Sequence, residues 1–303
     1  HFQQKDDQEW RIATVPGCVH LDLLANDLIP EPFYGTNEKD LQWISEKDWS
    51  YRLTFQPDPD LFKQDKLKLF FHGLDTYAEV LLNNKKILET DNMFHPWVAD
   101  VRGILKEGDN ELLVHFSSPI NRILPTLQSS DHILPADNDQ IENTSPYTRK
   151  APYHYGWDWG PSFATSGIWQ AVELVGGGKW SVESAHIIQD KVSSSKAELT
   201  LEMLVESSVD TEAELLIVGE RSTTKISKRL QLTHGENQIS EAIIIDHPDL
   251  WWPIGHGDQN LYEFQMALET KDGREELTKR IGLRDFKVEQ RKDEQGTGFT
   301  FVI

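Results

Sequence analysis

Between Arg149 and Pro161 the chain reads Arg-Lys-Ala-Pro-Tyr-His-Tyr-Gly-Trp-Asp-Trp-Gly-Pro, its densest grouping of aromatic and polar side chains. The prolines and glycines forbid a regular helix or a central strand, so these residues are predicted on a shaped loop. Within it, Trp157-Asp158-Trp159 sets one carboxylate between two indoles. That grouping suits a sugar: flat apolar rings cover the C–H face of a pyranose while a carboxylate accepts from its hydroxyls. The plainer reading is that the indoles plug the end of a β-sandwich, since most aromatic side chains serve packing. Arg149 and His154 read first as residues that order the loop by hydrogen bonds.

Composition narrows the partners. Fifty acidic against thirty basic residues give a net charge of −20, with no basic cluster to offset it, so a nucleic-acid or anionic-membrane partner is not expected. No run of 18 apolar residues is present, and no membrane span is expected. The single cysteine, Cys18, cannot form an internal bridge and reads as a small buried hydrophobe. No Cys/His spacing resembles a zinc site, and neither a metal nor a cofactor is expected. A start at His1 rather than Met points to a preceding segment that has been removed.

The elements that must position the loop are strands. Trp49 to Gln56 alternates, with Trp49, Tyr51, Leu53 and Phe55 predicted to face the core. Lys66–His72, Tyr77–Leu82, Glu111–Phe116 and Trp169–Val175 are further strands, and Asn83-Asn84 supplies the positive φ angles of a tight hairpin. One short helix is predicted from Val19 to Leu28, ended by Pro30. Two stretches are too long for mere connections, 31–47 and 117–167. The second holds so much apolar mass, from Ile120 to Trp159, that it is expected to fold against the sheet. Asp75 and Thr76 read as turn residues between two strands.

Gly176-Gly177-Gly178 is the clearest break in composition, which sets the first domain at 1–178. In the second domain Ala197–Val205 and Leu261–Glu269 alternate strictly, and about seven short strands suit an immunoglobulin-like sandwich. Leu250-Trp-Trp-Pro-Ile-Gly-His-Gly-Asp258 reads as a hydrophobic corner that anchors one domain on another, a better reading than a metal site built on His247 and His256. The last residues, Gly298 to Ile303, begin an apolar strand and stop, as in a chain that has been cut.

Taken in order, Val15–His20, Pro32–Glu38, Gly73–Val80, Lys150–Gly160, Leu250–Gly257 and Arg280–Arg284 resemble the N-terminal part of the β-mannosidases of glycoside hydrolase family 2. The resemblance covers essentially the whole chain. It implies an all-β fold: a jelly-roll, galactose-binding-like sandwich over 1–178, an immunoglobulin-like sandwich over 179–290, and then a (β/α)8 barrel of which 291–303 would be the first strand. It also implies that both catalytic glutamates belong to the barrel, leaving no catalytic residue in this chain and no turnover from it alone. Retaining hydrolysis needs two carboxyl groups about 5–5.5 Å apart, and no pair here can be argued to that separation. By the same resemblance the partners are a terminal β-mannoside and the barrel of the same chain, in an extracytoplasmic setting, periplasmic or secreted. Asp158 matches the position that accepts from hydroxyls of the terminal mannose, Trp157 would wall that subsite, and Asn37 lies in a second loop that approaches it. A free-standing carbohydrate-binding module, a structural pair that only buttresses a barrel, and another family 2 glycosidase such as a β-galactosidase are the alternatives.

Overall fold

The structure is a computed structural model that describes residues 1–5 and 7–303. The chain divides into two compact units, 1–176 and 177–303. Both are built from antiparallel strands.

The first unit contains ten strands in chain order: β1 Phe2–Gln4, β2 Trp49–Phe55, β3 Lys66–Phe71, β4 Leu74–Asp75, β5 Tyr77–Leu82, β6 Lys85–Asp91, β7 Trp97–Asp100, β8 Asn110–Phe116, β9 Gly167–Ile168 and β10 Val172–Gly177. They form a five-stranded sheet, β1-β2-β8-β5-β6, a three-stranded sheet, β10-β3-β7, and a two-stranded pair, β4-β9. The two larger sheets enclose one core. Trp49, Val80, Val114 and Phe116 meet Leu67, Leu69 and Phe71 there, as period-two patterning requires. Asn83 and Asn84 take φ angles of 51° and 63°, making the tight β5–β6 turn that the sequence predicts.

Helix α1 (Val19–Ala25) is two turns long and buries Val19 and Leu23 against this core. The Asp22 carboxylate fixes it, accepting from the Thr14 N–H and the Tyr51 hydroxyl, both at 2.7 Å. A one-turn helix, α2 (Asn37–Asp40), lies in the 31–47 loop, and α3 (Leu124–Ser129) lies in the long excursion after β8.

Two expectations about this unit need correction. The β2 alternation is not clean: Ser50 is buried and Leu53 is 54% exposed. Ser50 is sheltered on the outer face, where its hydroxyl lies 2.7 Å from His115 Nδ1. Leu53 instead borders a solvent-open gap of about 320 Å³ between the sheets, lined also by Leu69, Leu112 and Leu174. The 117–167 excursion folds only in part. Ile120, Ile141, Tyr155 and Ala164 make a small separate core, while Ile133 and Trp159 stay 85% and 84% exposed.

The second unit is a seven-stranded sandwich: β11 Trp180–Val192, β12 Lys196–Ser207, β13 Thr211–Gly219, β14 Lys225–Leu232, β15 Gly235–Asp246, β16 Tyr262–Thr270 and β17 Gly273–Ile281. The sheet orders β11-β12-β15 and β14-β13-β16-β17 are those of an immunoglobulin-like fold. Leu199, Leu201, Met203 and Val205 from β12 pack with Tyr262, Phe264, Met266 and Leu268 from β16, the inward sets that the alternation predicts. The 250–258 corner is tied down inside this unit. Trp251 N–H donates to Leu283 O at 3.0 Å, and the Arg284 guanidinium lies 3.5 Å from the Trp252 ring centroid. A short hairpin follows, β18 (Lys287–Glu289) with β19 (Thr300–Val302). Among the described residues no helix is long and apolar enough to cross a membrane.

Candidate functional site

The base of the 149–161 loop is set by Lys150. Its ammonium donates to both oxygens of Asp75 at 2.5 Å and to Thr165 O at 2.8 Å, and the Thr165 hydroxyl donates to Asp75 Oδ2 at 2.7 Å. Every group in this knot is buried or half-buried. A lone ammonium would not tolerate such a place, so the Asp75 charge and the neighbouring oxygens are what hold it there. Burial lowers the pKa of Lys150 from the usual lysine range, against the opposing pull of Asp75.

Three separated motifs converge on this point. Asp75 sits in β4 opposite Gly167 of β9. The Val15–His20 segment closes over the same place, with Gly17 N–H donating to Ile168 O at 2.8 Å and Val19 N–H to Ser166 O at 2.9 Å. His20 and His154 flank the ion pair. Burial, reinforced by repulsion from Lys150, pushes both imidazoles down to about 4, so both are neutral at pH 7.

Above the base, the two long loops are clipped together. Glu38 Oε1 accepts from the Ser162 N–H at 2.7 Å, and Gln42 Nε2 donates to Ser162 O at 2.9 Å. The Phe33 and Phe163 rings meet edge to face, 5.4 Å between centroids. Within the 149–161 loop, Gln140 Nε2 donates to Trp157 O at 3.0 Å. Gly156 takes a φ of +127°, and a Cβ there would lie 2.7 Å from Asn138 O. Only glycine turns the chain at that point, and the turn carries Trp157-Asp158-Trp159 to the surface.

The result is an open concavity of about 550 Å³ walled by Phe33, Tyr153, Trp157, Trp159 and Phe163, with His154 and Thr165 also on its lining. Trp157 is 41% exposed. Asp158, between Trp157 and Trp159 in the chain, is exposed but is not itself on the lining, and among the described residues its carboxylate makes no hydrogen bond or ion pair. Asn37 is placed differently. It begins α2 and donates its amide to Glu31 O at 2.8 Å, bracing the 31–47 loop from outside the concavity. Arg149 contributes through its backbone, its carbonyl accepting from the Met93 N–H at 3.0 Å.

The sequence reading placed Asp75 in a turn and did not single out Lys150. A signal for the pair was present: Asp75 is the sole acid between Lys66 and Ala78, and Lys150 opens an aromatic loop where a buried cation needs a counter-charge. Spacing alone could not match two residues so far apart in the chain.

Chemically, the arrangement offers flat apolar rings around an open space, with one free acceptor adjacent to them in the chain. Residues 1–170 match the family described as Glycosyl hydrolase 2 galactose-binding domain-like, and residues 181–284 match Glycosyl hydrolases family 2. The chain belongs to glycosyl hydrolase family 2.

Family 2 relatives match along the whole chain. It is 36% identical over 313 residues to Beta-mannosidase B of Emericella nidulans, covering 99% of this chain and 36% of that protein. It is 36% identical over 311 residues to Beta-mannosidase B of Thermothelomyces thermophilus, covering 100% of this chain and again 36% of that protein. The chain therefore spans a little over a third of the length of the curated relatives it matches. Among solved structures, the β-D-mannosidase of Dictyoglomus thermophilum superposes with a TM-score of 0.88 at 36% identity, over 99% of this chain and 37% of that one. The exo-chitosanase CsxA of Amycolatopsis orientalis superposes with a TM-score of 0.70 at 18% identity, over 99% of this chain and 34% of that one, which shows the shared family 2 fold alone.

Proposed function

We propose that this chain is the N-terminal, non-catalytic part of an exo-acting, retaining β-mannosidase. In this reading its 149–163 loop walls the subsite of the terminal mannose, and the two catalytic carboxylates come from a barrel of which residues 291–303 are the first strand. The β-mannosidase names of its relatives support the substrate class. The observation that carries the local role is the unpaired Asp158 carboxylate between two outward indoles beside an aromatic concavity.

In that role Asp158 accepts hydrogen bonds from sugar hydroxyls, and Trp157 covers a C–H face of the ring. Because the loop base is held by a buried ion pair, the acceptor is fixed before the sugar arrives, which limits the ordering entropy lost on binding. A contact that tightens as the sugar ring distorts contributes to rate as well as to affinity.

The test is hydrolysis of an aryl β-mannoside by the intact protein and its Asp158→Ala variant. Loss of a charged hydrogen bond worth about 1.5–3 kcal/mol lowers kcat/KM by roughly 10- to 100-fold. Unchanged hydrolysis would remove Asp158 from the site and favour a purely structural role for the loop.

A further inference from the structure

The first unit carries a second concavity, on the outer face of the five-stranded sheet. Four polar side chains run across it in register: Ser50 opposite His115, His115 opposite Glu79, and Glu79 opposite Glu89. Outward positions of a sheet are expected to be polar, so the row by itself says little. What distinguishes it is that it floors a cavity of about 940 Å³, near the top of the ~300–1,000 Å³ range of small-ligand sites. The segment after β8 forms one wall through Arg122 and Thr126. None of the residues lining the 149–163 concavity takes part.

At one end of this groove Tyr77 and Asp91 face each other as cross-strand partners of β5 and β6, and Trp97 and Arg122 border the same space. Among the described residues the side chains of Asp91 and Arg122 form no hydrogen bond or ion pair, with each other or with any neighbour. Trp97 donates its indole N–H to Asn92 O at 3.1 Å, so the part of it left for a ligand is the apolar ring.

These features select a ligand chemistry. The guanidinium only donates and the carboxylate only accepts, while a pair of adjacent hydroxyls does both and can bridge the two. An ion of either sign would be drawn to one of these groups and repelled by the other. Glu79 and Glu89 share Lys86 as counter-charge, and Asp48 pairs with Lys5. The lining still holds four carboxylates (Asp48, Glu79, Glu89, Asp91) against the cations of Lys5 and Arg122, which disfavours an anionic chain. Two aromatic rings beside the charged pair supply the apolar surface that C–H faces need. We propose that this groove is a second carbohydrate site, which takes a neutral oligosaccharide through Asp91, Arg122, Tyr77 and Trp97. It is argued from residues outside the candidate mannose subsite and does not depend on that reading.

The experiment is affinity electrophoresis of the intact protein through gels containing soluble mannan, with calorimetric titration of mannopentaose. Both are done in an Asp158→Ala background, to weaken binding at the other concavity. Retardation by the polymer is expected, and the Asp91→Ala/Arg122→Ala pair should weaken binding at least about tenfold. Both residues are exposed, so the pair should leave the melting temperature and the hydrolysis of an aryl β-mannoside unchanged. Polygalacturonate, a polyanion of similar shape, should give no retardation. The inference is overturned if mannan does not retard the protein, if the double variant is retarded equally, or if polygalacturonate binds as well. Failure of Asp158→Ala to alter hydrolysis would remove Asp158 from the mannose subsite proposed above and leave this groove standing.

Discussion

The ammonium of Lys150 and the carboxylate of Asp75 meet at 2.5 Å with no more than 2% of either side chain exposed. The contact joins the base of the aromatic loop to strand β4 of the sandwich. Removing one partner strands the other charge in the interior, whereas removing both leaves a volume to fill and the neutral Thr76 and Thr165 oxygens that the pair had bonded.

Lys150→Met is therefore expected to destabilise the first unit by about 3–5 kcal/mol. The Asp75→Leu/Lys150→Met pair should cost much less than the sum of the single changes. Urea unfolding of the three variants gives the coupling energy directly, and additive costs would show that the pair is not acting as a unit.

Acid should weaken this unit before ordinary carboxylates titrate. Burial holds His20 and His154 at about 4 in the folded chain, against about 6.5 for a free imidazole. An unfolded chain then binds protons that the folded one refuses, so stability is full above about pH 6.5 and is lost as the pH falls towards 4. Between pH 6 and 5 the urea midpoint should drop, and His20→Gln should reduce the slope by the share of one proton. A midpoint flat across that interval would contradict the burial of the two imidazoles.

The turn at Gly156 should not accept a side chain. Gly156→Ala meets both a positive φ and the Asn138 carbonyl, so more than about 1 kcal/mol of destabilisation is expected. Hydrolysis by the intact protein should fall with it, since the same turn aims Trp157-Asp158-Trp159. Normal kinetics in this variant would mean that the aim of these residues does not matter.

Unclipping the two loops gives a softer effect. Glu38→Ala removes the acceptor for the N–H of Ser162, a buried residue, and leaves that amide unpaired at a cost of about 1–3 kcal/mol. Phe33 then loses its fixed position against Phe163. Iodide quenching of tryptophan fluorescence should increase, and KM should rise more than kcat falls. Quenching identical to that of the parent would place the clip outside the ordering of the site.

Much of the fold was legible because core strands announce themselves. In β3, β5, β12 and β16 the apolar residues alternate and end up inside. The edge strands β6 and β7 were not found: Lys85–Asp91 is mostly polar and has one buried position, Thr90, so no period-two signal exists to detect. The aromatic loop stood out by composition, and its clipping to the 31–47 loop did not, because both clips run to the backbone of Ser162. A main-chain amide has no identity that a sequence can display.

The Asp75–Lys150 contact spans 75 residues of chain. A bond of such separation carries a loop-closure cost, and the β4–β9 pairing beside it closes a longer loop still. If that loop docks on a sandwich already closed, the ion pair is made after the folding transition state. Substitutions at this pair should mainly hasten unfolding and leave the folding rate nearly untouched.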